Sequence, residues 1–142
     1  MQMKVSGKGD RKDSGKVRLS AIPPQFLVEL AQHCNINQIK YPDKDGFPNW
    51  TAGMPYSKIM DPLERHLMLF KDGQTYDYEV PEGTNYRAHH LIAMAWACMA
   101  LYWYEINPDR YKQFDDRIWT TESIDTHLEI IQNGSADVHD SE

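Results

Sequence analysis

Cysteine is scarce in the 142 residues: Cys34 and Cys98 are the only two. One such pair supplies neither a disulfide framework nor a zinc-ligand spacing, which fits a reducing compartment. Positive charge is also in deficit. The formal net charge is −6, which argues against broad electrostatic binding to polymeric nucleic acid or to acidic lipid. No apolar stretch reaches the roughly 18 residues of a membrane span, because Arg87, His89 and His90 interrupt the longest one. The opening MQMKVSGKGDRKDSGK lacks the apolar centre of a secretory leader. A cytoplasmic protein is expected. Several signature loops are absent too: G-x-x-x-x-G-K-[ST], G-x-G-x-x-G, G-x-S-x-G and H-E-x-x-H. Neither cysteine has the setting of a nucleophile.

What is present is organised around Tyr86–Tyr104, in which every residue from Leu91 to Tyr104 is apolar or aromatic. Strands run about 4–8 residues, so a run of this length reads as a helix buried on nearly all sides. Pro24 suits a first helical turn and opens a second helix, predicted to reach Ile39. Tyr56, Ile59, Met60, Leu63, Leu67 and Phe70 form the apolar stripe of a third. A short amphipathic helix is expected from Thr121 to Gln132, with Ile124, Leu128 and Ile131 on one side. The expectation is an all-α small bundle with a central apolar helix, made of one domain over residues 16–131. A mobile basic arm, residues 1–15, precedes it, and a disordered tail, residues 132–142, follows. The aromatic residues around one helix exceed what a single small bundle buries, so a dimer or larger homo-oligomer is expected.

The polar residues that carry chemistry sit in the loops and helix mouths. The long loop from Lys40 to Pro55 contains Lys40 to meet a phosphate, Trp50 to stack on a base and Asn49 to read a base edge. Loops of this length inside a compact domain are usually functional. Asp61-Pro62-Leu63-Glu64 has the form of a helix start, with Asp61 as cap and Glu64 closing a capping box; the same two carboxylates are ligand candidates. His66 falls on the core side of its helix. Asp77, Glu79 and Glu82 place three carboxylates just before His89 and His90, where they either complement a helix dipole or hold a hard cation. Arg65, Arg87, Arg117 and Lys40 are candidates to neutralise charge developing on a phosphoryl group.

In order, GKVRLSAIPP, KYPDKDGFPNW, YSKIMDPLERHL, DGQTYDYE, HHLIAMAWACMAL and DDR resemble the phage-type dATP/dGTP diphosphohydrolases, which look like relatives of the MazG-like all-α nucleotide pyrophosphatases. The resemblance runs from about Gly15 to Trp119. It implies a Mg²⁺- or Mn²⁺-dependent hydrolysis of a purine (deoxy)nucleoside triphosphate to monophosphate and pyrophosphate, in the host cytoplasm if phage-encoded, by an oligomer. It carries over Asp61, His66, Asp77 and His89 or His90, and with Glu64 from the loop reading the catalytic candidates are Asp61, Glu64, His66, Asp77 and His89. As metal ligands it suggests Asp61, Glu64, Asp77, Glu79 and His90, with Asp61-x-x-Glu64 the nearest match to the family's paired acidic signature. Substrate contacts fall to Lys40, Tyr41, Asn49, Trp50 and Arg65 from the resemblance, with Arg117 in its Asp-Asp-Arg run, and to Arg87 from its charge alone. Two other classes fit the inventory. One is a non-catalytic helical module that binds a nucleotide or a partner without the metal. The other is a histidine–aspartate metal phosphohydrolase built on His66, His89 and His90, although no His-Asp dipeptide falls in the core.

Overall fold

The computed structural model describes residues 15–140, with side-chain surroundings up to residue 134. Met1 to Ser14, most of the expected basic arm, and Ser141–Glu142 lie outside the described residues. Among the described residues the five α-helices are α1 (Pro24–Lys40), α2 (Ser57–Lys71), α3 (His90–Ile106), the single turn α4 (Pro108–Tyr111) and α5 (Thr121–Asp140). Among the described residues there is no strand, only two isolated bridges, Lys44 with Phe47 and Tyr76 with His89. The fold is all-α, as the apolar periodicity predicts.

α3 packs against α2 and α1. Ala93, Ala97, Ala100 and Tyr104 recur at helical spacing and are all buried. The three alanines bring the α3 backbone close to α2, whose Ile59 is 2 % exposed. Burying such a side chain is worth about 1.5–3 kcal/mol. Tyr56, Ile59, Ala97, Ala100, Tyr104 and Tyr111 form one core cluster. Burial on nearly all sides of α3 is not found: among the described residues α1, α2, α4 and the Trp50 turn cover one side. Leu91, Tyr102, Trp103 and Ile106 remain exposed on its outer side.

Three local predictions are corrected. α3 begins at His90, so His89 stands at its mouth but is not carried on it: His89 pairs across the bridge with Tyr76 in extended conformation and then caps the helix, its Nδ1 accepting from the Leu91 N–H at 3.1 Å. α2 begins at Ser57 and runs through Pro62, so Asp61 is no cap. The cap comes from far along the chain: Asp116 Oδ1 accepts the Ser57 N–H at 2.9 Å and Oδ2 accepts its hydroxyl. α5 continues to Asp140, past the expected end at Gln132 and through most of the expected tail.

Candidate functional site

α1, the 3-10 turn Asn49–Ala52, α2, the loop before α3 and α3 itself enclose a cleft of about 750 Å³, within the usual range for small-molecule sites. Each wall has its own chemistry. The aromatic wall joins Trp50, Trp96, His33 and Tyr86, with Trp50 and Trp96 edge to face at 6.3 Å between centroids. His33 Nδ1 lies 3.1 Å from the Tyr86 hydroxyl, a bond across the cleft wall. Burial, with a smaller contribution from the charge of His66, lowers the His33 pKa to about 4. The indole Nε1–H of Trp96 is buried without an acceptor among the described residues.

The turn that presents Asn49 and Trp50 is held from below. Tyr104 of α3 donates its hydroxyl proton to the Trp50 carbonyl, and Tyr111 of α4 donates to the Thr51 carbonyl at 2.6 Å. Burial pushes the Tyr104 phenol up to about 12, so it remains a donor. The turn ends at Gly53, whose φ of 96° is left-handed. A Cβ there would also overlap the Phe114 ring, so glycine is required both by conformation and by space.

Cationic side chains line the same cleft. Lys58 and Arg65 project from α2 and Lys40 from the end of α1, with the Lys40 ammonium 5.3 Å from the Tyr41 ring centroid. Lys58 was not singled out from sequence. Its signal was available, because Lys58, Pro62 and Arg65 share one helical face. Asp77, Glu79 and Glu82 form the acidic rim. Their loop is fixed at its base by the Asp77 N–H bonding the Ala88 carbonyl at 2.8 Å and the His90 N–H bonding the Thr75 carbonyl at 3.0 Å. Asp77 Oδ1 also accepts the Glu79 N–H at 3.1 Å.

His66 reaches the cleft from α2, and its Nδ1 lies 2.8 Å from Nδ1 of His90. The other ring nitrogen of His90 lies 2.7 Å from Gln74 Oε1, and His90 is 0 % exposed. Burial is the main influence on His66 and lowers its pKa, opposed by the charge of Asp77. Its imidazole is therefore neutral at pH 7.

Of the residues nominated from sequence, Lys40, Tyr41, Asn49, Trp50, Arg65, His66, Asp77 and Glu79 line this one cleft. The others do not. Asp61 and Glu64 are exposed on α2 outside the lining. His89 is spent on capping α3. His90 lies beneath the cleft with both ring nitrogens engaged by His66 and Gln74. Arg87 braces the acidic loop, its Nε donating to the Asp77 carbonyl at 3.0 Å while its guanidinium covers the Tyr78 ring. Arg117 pairs with Asp115 at 2.7 Å and Glu105 at 3.0 Å, beside the Asp116 cap. The Asp-Asp-Arg run is thus a fastening between chain segments.

Among the described residues no three His, Cys, Asp or Glu side chains gather closely enough to hold a metal ion by themselves. The donors the cleft does offer, Asp77 and Glu79, are hard oxygen ligands. They match the way Mg²⁺ is commonly held, by one or two carboxylates completed by substrate phosphates and water. They do not match an all-protein cage.

A family model described as dATP/dGTP diphosphohydrolase, N-terminal, matches residues 6–117 of the chain. A dATP/dGTP diphosphohydrolase from Salmonella phage PMBT28 is 30% identical over 112 residues, which cover 79% of this chain and 34% of that protein. The chain therefore spans about a third of the length of the curated relative it matches. No solved structure matches it. Among the described residues no helix is long and apolar enough to cross a membrane.

Proposed function

The chain belongs to the dATP/dGTP diphosphohydrolase N-terminal family, and from that premise we propose that its cleft binds a purine deoxynucleoside triphosphate and hydrolyses it to the monophosphate and pyrophosphate. The observation that carries this reading is the convergence of aromatic, cationic and acidic walls on one cavity of about 750 Å³. A nucleotide has three matching parts: a flat base, a sugar and a polyanion.

In this reading the base lies against Trp50 and Trp96. Stacking on such rings is worth about 1–3 kcal/mol per base. Asn49 lies close to the same wall to read the base edge. Lys40, Lys58 and Arg65 take the phosphates and offset the negative charge that builds up as the bond breaks. Asp77 and Glu79 hold Mg²⁺ or Mn²⁺ together with the phosphates. The ion, when bound, polarises the phosphoryl group.

His66 is the general base. Its neutral ring accepts a proton from water as the water oxygen bonds to the α-phosphorus. The bond between that phosphorus and the bridging oxygen breaks, and pyrophosphate leaves with the electron pair. Removing such a base costs on the order of 10²–10⁴ in rate. The direct test incubates the protein with each nucleoside triphosphate and Mg²⁺ or Mn²⁺, scoring pyrophosphate and orthophosphate separately. Pyrophosphate from dATP and dGTP, lost in His66→Gln, is expected; orthophosphate as the sole product would mean a different bond is cut.

One observation favours a second reading, that the domain binds the nucleotide without cleaving it: no three-ligand cluster forms among the described residues. Calorimetric titration of dGTP with Mn²⁺ separates the two. Heat of binding with no turnover leaves the binding module, and heat with pyrophosphate release leaves the enzyme.

A further inference from the structure

Gln74 and His90 have no contact with the cleft, yet they form a chain of hydrogen bonds that ends at its catalytic candidate. The carboxamide oxygen of Gln74 can only accept a hydrogen bond. The proton in its 2.7 Å contact with His90 therefore sits on His90 Nε2. An uncharged His90 ring then presents Nδ1 as a lone pair. That lone pair is 2.8 Å from His66 Nδ1, so His66 must carry its own proton on Nδ1 to donate. One proton per ring is thereby allotted, and Nε2 of His66 is left bare. No protein partner meets that nitrogen among the described residues. It is also absent from the buried unpartnered atoms, of which Trp96 Nε1 is the one, so it reaches the solvent of the cleft that His66 lines.

We infer that Gln74 and His90 are positioning residues that lock His66 in its Nδ1–H form, with the Nε2 lone pair aimed into the cleft. This rests on His66 acting as the base there, and it adds the reason why that nitrogen is available to act. Which ring nitrogen carries the proton is set by the bond the other one makes. A free imidazole side chain prefers the opposite form, with the proton on Nε2, in which state His66 would offer the cleft a donor and not a base. Full burial of His90 matters here, because no water reaches it to substitute for either partner.

The placement of the three residues explains why the relay is rigid. His66 comes from the middle of α2, Gln74 from just beyond its end and His90 from the first residue of α3. The Gln74 N–H is tied to the Leu69 carbonyl at 3.0 Å, and the His90 N–H to Thr75. The relay thus pins the junction of the two helices that contribute most to the core.

Long-range ¹H–¹⁵N correlation spectra of the ring nitrogens read the proton positions directly, with no dependence on turnover. In the unaltered protein His66 is expected to show a protonated Nδ1 and a bare, pyridine-like Nε2, while His90 shows the reverse. In Gln74→Leu the constraint on His90 is gone, and His66 is expected to shift toward Nε2–H. The kcat for pyrophosphate release should fall about 10–100-fold, as when an orienting partner of a functional histidine is removed, with KM little changed because no wall of the cleft is altered. A protonated Nε2 on His66 in the unaltered protein would overturn the inference, whatever the activity. The expected ring pattern in a protein without turnover would uphold the relay and count instead against hydrolysis at this cleft.

Discussion

At the scale of single residues, part of the cleft's lining was legible in the sequence. Lys40, Asn49 and Trp50 were picked out as phosphate, base-edge and stacking groups, and all three line the cavity. The nominated arginines that lie outside the lining share one feature. Arg87 and Arg117 carry the same charge as Arg65 but are consumed by Asp77's carbonyl and by Asp115 and Glu105, and no sequence pattern reveals which guanidinium will be occupied. Trp50→Ala removes one face of the base site, so KM for dGTP should rise roughly tenfold or more, read from initial rates. His33 gives a pH signature. Its pKa is lowered from 6.5 to about 4, so the unfolded chain binds a proton that the folded one refuses between those values. Stability from this group is intact above pH 6.5 and declines as pH falls toward 4, by about 3 kcal/mol at most. Urea unfolding from pH 7 to 4.5 should show this loss, and His33→Gln should flatten it.

At the scale of elements, helix existence was readable and helix boundaries were not. The continuous apolar run marked α3, but its start was set by the bridge between Tyr76 and His89, a pairing between distant residues. Asp61-Pro62-Leu63-Glu64 imitates a capping box convincingly, yet the true cap of α2 is Asp116, which local reading cannot find. Asp116→Ala should therefore destabilise the fold by about 1 kcal/mol, visible as a lower denaturation midpoint, while Asp61→Ala should do far less. Gly53→Ala tests the turn that presents Trp50. The left-handed φ and the overlap with Phe114 together should cost about 2–4 kcal/mol, with nucleotide affinity falling alongside because Asn49 and Trp50 are displaced.

At the scale of the whole molecule, the described chain leaves much apolar surface uncovered. Trp119 is 84% exposed, and Ile124, Leu128 and Ile131 run along a face of α5 that no other helix covers closely. Together with the outer side of α3, this exceeds the scattered exposure of an ordinary monomer. Self-association is the expected outcome, with light scattering giving a mass above the 16.5 kDa of one chain at micromolar concentration. Leu128→Glu, on the exposed face of α5, should lower that mass without unfolding the protein. A single-chain mass for the unaltered protein would refute the idea.

The acidic loop between α2 and α3 has a narrow base and a wide excursion. Two amides, those of Asp77 and His90, close it like a clasp, and residues 78–87 lie beyond. A clasp of this kind separates timescales: those two N–H groups should be among the slowest of the loop to trade hydrogen for deuterium, while the amides beyond them exchange early. If the proposed nucleotide and metal bind here, Asp77 at the clasp would hold its place while Glu82, farther along the loop, would have the freer backbone. The part of the rim that adapts and the part that registers would thus be carried on one short stretch of chain.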